Sequence, residues 1–301
     1  MKNVTEKITT LRSATAGCTL FAKPETLMRL QNNEVPKKDI LPISRAAAVM
    51  AAKNTAQFLP YCHPLPIDHV DIDFTIHVDS IEIKATVVAI WKTGVEMEAL
   101  TAASIAALNI YDMLKPIDKE ITISNLQLLE KTGGKTDFRE KIPAHFKAAV
   151  IVSSDGTFQN KREDKSGKII EQKLRGFGIE DIAYKVLPDE KDQIENQLRA
   201  YCDAGIRLIV TTGGTGLGPR DVTVEATEKV IERTMPAVMN ALQSYGQQRT
   251  PYAMLSRGLA GVCKNTVIVN LPGSSRGAEE GMNAIFPALL HVYKMMAGGS
   301  H

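Results

Sequence analysis

Residues 208–221 read Leu-Ile-Val-Thr-Thr-Gly-Gly-Thr-Gly-Leu-Gly-Pro-Arg-Asp, an apolar run that breaks into glycines and ends on an arginine beside a carboxylate. Glycines free of Cβ let successive backbone N–H groups approach and ring a phosphate, a task that falls to Gly213, Gly214, Thr215 and Gly216. Arg220 can fork onto phosphate oxygens, and Asp221 can hold a hard cation such as Mg²⁺. A glycine turn alone is weak evidence, but here Arg-Asp-Val-Thr follows it and further acids, Asp155 and Asp189, stand upstream. Ser154, with Pro272-Gly273-Ser274 near the end of the chain, adds hydroxyls and backbone amides. A metal-bridged nucleoside triphosphate is the ligand that needs both sets of groups. Asp189 and Asp221 would equally serve as helix caps. Neither a P-loop nor a Gly-x-Gly-x-x-Gly dinucleotide fingerprint is present.

The first half carries a different set: Lys37, Tyr61-Cys62-His63, Met97-Glu98, Asp112 with Lys115, and Lys131 ahead of Thr132-Gly133-Gly134-Lys135. Neighbours in an extended segment point to opposite faces, so Cys62 and His63 are not a nucleophile and base pair, and a small packed thiol is the better reading of Cys62. His63 suits a proton donor or a phosphate ligand. Asp112 and Lys115, three apart on a helix, form either a solvated ion pair or an acid/base pair. Fourteen residues separate Glu98 from Asp112, which on one unbroken helix share a face within about 40° but lie about 21 Å apart. One pocket in one subunit cannot hold both. If both act, a neighbouring chain completes the site.

Two kinds of framework are needed to position these groups. Alternating apolar residues over Val70–Val78 and Ile81–Ala89, split by Asp79-Ser80, predict a hairpin. Helices over Ser44–Phe58 and Glu96–Leu114 and a strand over Ile121–Leu129 complete an α+β domain, an antiparallel sheet with helices on one side in a ferredoxin-like arrangement. Residues 1–140 are assigned to it, with 141–146 as linker. Residues 147–301 instead repeat strand, loop and helix. The strands are Ala149–Ser153, Ile182–Val186, Leu208–Thr211 and Thr266–Leu271; the helices are Ser166–Arg175, Lys191–Ala204, one from Thr223, and a closing Gly277–Met296. That alternation specifies a doubly wound, mostly parallel α/β sheet with ligands beyond the carboxyl ends of its strands.

Bulk composition excludes several classes. A length of 301 residues fits two domains, and the net charge of +2 is spread without a basic arm, which argues against nucleic acid as a partner. Four scattered cysteines with no Cys-x-x-Cys pair argue against a zinc site or a disulfide framework and fit a reducing cytoplasm. No apolar run reaches the length of a membrane span, and no leader is evident at the start.

The motifs carry a resemblance. Leu59-Pro60-Tyr61-Cys62-His63-Pro64-Leu65, Lys92-Thr93-Gly94-Val95-Glu96-Met97-Glu98, Tyr111-Asp112-Met113 with Lys115, and Lys131-x-Gly-Gly-Lys135 make residues 4–138 similar to the MoaC-type cyclic pyranopterin monophosphate synthases. That family converts (8S)-3',8-cyclo-7,8-dihydroguanosine 5'-triphosphate into cyclic pyranopterin monophosphate with loss of pyrophosphate. The resemblance implies Asp112 as acid/base with Lys115 as its partner, Tyr61, Cys62, His63, Met97 and Glu98 as substrate contacts, and Lys37 and Lys131 for the triphosphate. Ser154-Asp155, Asp164-Lys165-Ser166-Gly167, Pro188-Asp189-Glu190, the glycine turn with Arg220-Asp221-Val222-Thr223, Ala253-Met254-Leu255-Ser256-Arg257 and Asn270-Leu271-Pro272-Gly273 make residues 147–297 resemble the MogA/MoaB-type molybdopterin adenylyltransferases. The resemblance implies ATP as co-substrate, Mg²⁺, and Asp189 and Asp221 as the essential acids. It also allows a non-catalytic molybdopterin-binding scaffold as the alternative for this half. The expected partners are small molecules, further copies of the chain through both halves, and other enzymes of the pathway. Trp91 and Phe158 depart from the two family patterns.

Overall fold

The computed structural model describes residues 1–134, 137–138, 140–143 and 145–298. The chain divides into two compact units, Met1–Asp137 and Phe138–His301. Among the described residues no helix is long and apolar enough to cross a membrane.

The first unit runs β1 (Thr10–Phe21), α1 (Pro24–Gln31), α2 (Ile40–Lys53), α3 (Thr55–Phe58), β2 (His69–Ile76), β3 (Ser80–Trp91), α4 (Glu96–Leu114) and β4 (Thr122–Thr132). Its four strands lie in the order β2-β3-β1-β4, every neighbouring pair antiparallel. This is the ferredoxin-like arrangement. The hairpin is where the alternation puts it, closed by the N–H of His77 donating to the carbonyl of Ser80. The central strand β1 is not among the expected strands. Its inward residues, Ala14, Ala16, Cys18 and Leu20, are all buried, but three of the four are small, so the apolar alternation is faint. Small residues meet small residues here. Ala99, Ala102, Ala103, Ala106 and Ala107 of α4 are fully buried, and the Cys18 thiol reaches the carbonyl of Ala103 at 3.4 Å. The expected continuous helix over Ser44–Phe58 starts earlier and is interrupted at Asn54, whose side-chain amide donates to the carbonyl of Met50. Such side-chain competition for backbone groups is what weakens asparagine inside helices.

The second unit contains β5 (Lys147–Ser153), α5 (Asp155–Phe158), α6 (Ser166–Gly176), β6 (Asp181–Leu187), α7 (Lys191–Asp203), β7 (Leu208–Thr212), α8 (Thr223–Glu228), β8 (Arg233–Thr234), α9 (Pro236–Gln247), β9 (Ala260–Cys263), β10 (Thr266–Leu271), α10 (Ser275–Ile285) and α11 (Val292–Met296). The order is β6-β5-β7-β10-β9-β8. The four expected strands, β6, β5, β7 and β10, are mutually parallel, and β9 and β8 extend the sheet antiparallel. Both faces are covered: Ala148, Val150 and Val152 of β5 join one core, Ala149 and Ile151 the other. That explains their unbroken apolar run. The closing helix expected over Gly277–Met296 ends instead at Ile285, because Phe286 precedes Pro287 and takes an extended conformation.

Each unit has its own core, so residues 1–140 and 145–301 produced separately are expected to be soluble and to melt cooperatively. Fragments that fold only when mixed would contradict this.

Candidate functional site

In the second unit the carboxyl ends of β5, β6, β7 and β10 surround a cleft of about 560 Å³. Ser154, Asp189, Gly213, Gly214, Asp221, Gly273 and Ser274 line it, as do the buried Ser153 and Thr212. Asp155, Thr215, Gly216, Arg220 and Pro272 are not among the residues that line it. The glycine turn is packed against neighbouring backbone. Gly213 has φ +95°, and a Cβ there would lie 2.1 Å from the carbonyl oxygen of Ser153. A Cβ on Gly273 would sit 3.0 Å from the Cα of Gly213. Two loops therefore touch through glycine at the floor of the cleft.

Asp155 and Asp189 hold each other by main-chain groups. The N–H of Asp155 donates to Asp189 Oδ2 at 2.9 Å, and the N–H of Asp189 donates to Asp155 Oδ1 at 3.0 Å. Ser153 Oγ adds a bond to Asp189 Oδ1 at 2.7 Å. Arg220 forks onto both oxygens of Asp155 at 3.0 Å and reaches Glu190 at 2.8 Å. The fork of Arg220, then the Asp189 N–H, pulls the Asp155 carboxyl below its ordinary range, and the two acids raise the Arg220 guanidinium. Asp221 accepts from the N–H of Gly218 at 2.8 Å.

Two groups that the sequence did not single out shape this cleft. Arg257 bonds the carbonyl of Gly216 at 2.7 Å, the carbonyl of Asp221 at 2.9 Å and the Glu225 carboxylate at 2.5 Å, so it fixes the glycine turn from behind. The segment Arg162–Ser166 forms one wall. For both, the only signal lay in the motifs of the family resemblance, since neither has a telling pattern of residue types.

The first unit presents two separate clusters. At the carboxyl end of α4, Asp112 is bonded by Lys115 at 2.6 Å and by Lys37 at 2.9 Å, and Lys37 also meets the Asp112 carbonyl at 3.1 Å. These ammonium groups, Lys115 first, lower the Asp112 carboxyl to about 2. At the amino end of α4, Tyr61, Cys62, His63, Met97 and Glu98 surround a depression of about 240 Å³ together with Lys2 and Lys7. Glu98 is buried, and desolvation raises its carboxyl above the usual range. Burial, then the Glu98 carboxylate, likewise raises the thiol of Cys62, which is half-buried in this depression. Lys131 lies in an adjoining depression of about 250 Å³ with Glu96, 3.4 Å away, and Arg12. Arg12 is a further group that the sequence did not reveal: it is buried, donates to the carbonyl of Trp91 at 3.4 Å, and is lowered first by desolvation. Lys135 lies outside the described residues. Because α4 is unbroken from Glu96 to Leu114, the two clusters sit at opposite ends of one helix. A single chain brings Lys37, Asp112 and Lys115 together and keeps them from Glu98.

Residues 1–134 match the MoaC family, and residues 149–291 match the family described as "Probable molybdopterin binding domain". A molybdenum cofactor biosynthesis bifunctional protein from Chlorobaculum tepidum is 42% identical over 301 residues, spanning 100% of this chain and 96% of that protein. A cyclic pyranopterin monophosphate synthase from Thermoanaerobacter pseudethanolicus is 45% identical over 143 residues, 47% of this chain and 90% of the relative. The crystal structure of the molybdopterin biosynthesis enzyme MoaB from Thermus thermophilus aligns with 51% of this chain and 97% of its own, at 41% identity and a TM-score of 0.48.

A carboxyl depressed by two lysines contributes stability that is present above the ordinary carboxylate range and lost as pH falls through about 2. Carbon-13 NMR of the Asp112 carboxyl should give a midpoint at about 2, moving upward in Lys115→Ala and less in Lys37→Ala. A midpoint near 4, the usual aspartate value, would show that the pairs do not persist in solution.

Proposed function

The chain belongs to the bifunctional molybdenum cofactor biosynthesis proteins, and from that membership and its two sites we propose that it catalyses one early and one late step of that synthesis. The first unit acts as a cyclic pyranopterin monophosphate synthase, releasing pyrophosphate from the cyclised guanosine triphosphate. The second acts as a molybdopterin adenylyltransferase. The observation that carries the second assignment is the meeting of Asp189, Asp221 and the glycine turn in one cleft at the strand ends.

In the second unit, the terminal phosphate of molybdopterin attacks the α-phosphorus of ATP. A new P–O bond forms, the bond to the pyrophosphate breaks, and adenylyl-molybdopterin results. The nucleophile is already anionic at neutral pH, so the chain has little proton transfer to do. Its task is to hold two polyanions together in line. The amide of Gly214, at the cleft, would meet the phosphates, that of Gly213 being bonded to the carbonyl of Leu271, and the braced carboxylates fix the position of the counter-charge. Asp189 and Asp221 would hold Mg²⁺. Their oxygens are hard donors: among the described residues Asp189 accepts one hydrogen bond on each oxygen and keeps further lone pairs, and Asp221 accepts from Gly218 on one oxygen only. One or two carboxylates plus substrate phosphates is how Mg²⁺ is commonly held. When bound, the ion supplies Lewis-acid stabilisation of the phosphoryl charge.

In the first unit, Asp112 holds Lys37 and Lys115 adjacent and favours the protonated form of Lys115. The trio delivers and accepts the ring protons, with Glu98, His63 and Tyr61 contacting the substrate and Lys131 and Arg12 facing its phosphates. Because α4 separates these two sets within one chain, a pocket that uses both would draw them from different copies, and the synthase would then work as a homo-oligomer. We place the protein in the cytoplasm, where its four free cysteines are stable.

Asp221→Asn should preserve the fold and reduce adenylyl transfer about a hundredfold or more, the usual scale for losing such a carboxylate, with synthase activity unchanged. Transfer within threefold of wild type would overturn the assignment. Glu98→Ala and Asp112→Ala proteins, each nearly inactive as synthases, should regain part of the activity after dissociation, mixing and reassembly, because some interfaces then hold one intact site. Failure to complement despite demonstrated subunit exchange would show that the site lies within one chain.

A further inference from the structure

Arg220 was the cation that the sequence offered for phosphate, but three of its donors are committed to Asp155 and Glu190. Releasing them would leave both carboxylates uncompensated beside the cleft. Two other cations line the same cleft, Arg162 and Lys165, and neither forms a salt bridge among the described residues.

The wall that carries them is pinned from both ends. The N–H groups of Lys161 and Arg162 both donate to the carbonyl of Gly156, at 2.9 and 3.1 Å. At the other end, Asp164 accepts from the N–H of Gly167 at 2.9 Å on one oxygen and from the hydroxyl of Tyr184, on β6, on the other. Both oxygens of Asp164 are thereby held by protein donors, which fix the segment in place; Asp164 and Glu163 keep their negative charge beside Arg162 and Lys165. The fit leaves no slack. A Cβ on Gly167 would lie 2.2 Å from the Tyr184 hydroxyl and 2.5 Å from Val152. Lys168 covers the other side of the tyrosine, its ammonium 4.1 Å from the ring centroid.

We propose that Arg162 and Lys165 make the cationic contacts to the polyphosphate of ATP, and that Tyr184, acting through Asp164, is the positioning residue that holds them over the cleft. The proposal rests on the adenylyl-transfer reading of this cleft. Arg220 is then a brace of Asp155, which in turn holds Asp189. Division of labour follows: fixed charge pairs build the floor, and uncommitted cations meet the ligand.

The test uses the full-length chain, with ATP binding measured by calorimetry beside the kinetics of transfer. Arg162→Ala/Lys165→Ala, both at exposed positions, should raise Kd and KM for ATP about tenfold or more, the scale of one charge-assisted contact, with kcat within about threefold of wild type. Lys in place of Arg162 in an otherwise native chain should recover most of the affinity lost in Arg162→Ala. Tyr184→Phe keeps the ring and should raise KM severalfold without changing the synthase activity of the same chain. Arg220→Ala should alter KM less than the Arg162/Lys165 pair does. A wild-type chain that binds ATP and transfers adenylate, with Kd and KM unmoved in the Arg162/Lys165 double variant, overturns this proposal alone. A wild-type chain that neither binds ATP nor transfers adenylate overturns the reading of the cleft and the proposal with it. If Tyr184→Phe does not fold, the double variant still decides.

Discussion

Two carboxylates side by side at the edge of a sheet repel each other and attract water unless something answers their charge. In the second unit the answer is local and reciprocal: Asp155 and Asp189 each accept the other's backbone N–H, and Arg220 closes over Asp155. This bracket ties the loop after β5 to the loop after β6, and Arg220 ties both to the glycine turn after β7. The turn in turn rests on Arg257 from behind and on Gly273 from the strand beyond. Remove the bracket and the loops lose their common reference. With it, Asp189 stands ready at a fixed position, at no cost in reorganisation when a substrate arrives.

The first unit solves the opposite problem. Its two polar clusters stand at opposite ends of α4, which is unbroken and packs on β1 through alanines and a cysteine. Close packing of small side chains makes the helix a rigid spacer. A spacer of about 21 Å keeps the two clusters apart within one chain, and in the proposed reading symmetry between copies joins them. The two units thus arrange their polar groups differently: one converges loops within a chain, and the other spaces two clusters along a helix.

Much of this was legible in the residues. The continuous apolar runs of β5, β7 and β10 announced strands covered on both faces, and the alternation in β2 and β3 announced a hairpin. Gly213 and Gly214 marked the turn, and the polar residues after each strand marked the cleft. The strand β1 was hidden because alanine and glycine give little amplitude to an apolar period, although its neighbours in space make it central. The antiparallel extension by β9 was hidden because Ala260–Cys263 is short and contains a glycine. Pairings across long separations were not legible either. That Arg220 would be taken by Asp155, 65 residues away, or Arg257 by the carbonyl of Gly216, 41 residues away, depends on loop geometry that no local pattern encodes. Lys37 is a similar case. The family resemblance implied a cation for the triphosphate, and the fold gives it Asp112 as a partner.

The central claim is that a single chain carries the late, adenylate-transferring step beside the early one, and the direct test is a product assay on the purified wild-type protein. Incubated with ATP, Mg²⁺ and molybdopterin, it should form adenylyl-molybdopterin and pyrophosphate in equal amounts, and form neither when molybdopterin is left out. Molybdopterin bound without consumption of ATP would contradict the account and leave the second unit a carrier of the pterin.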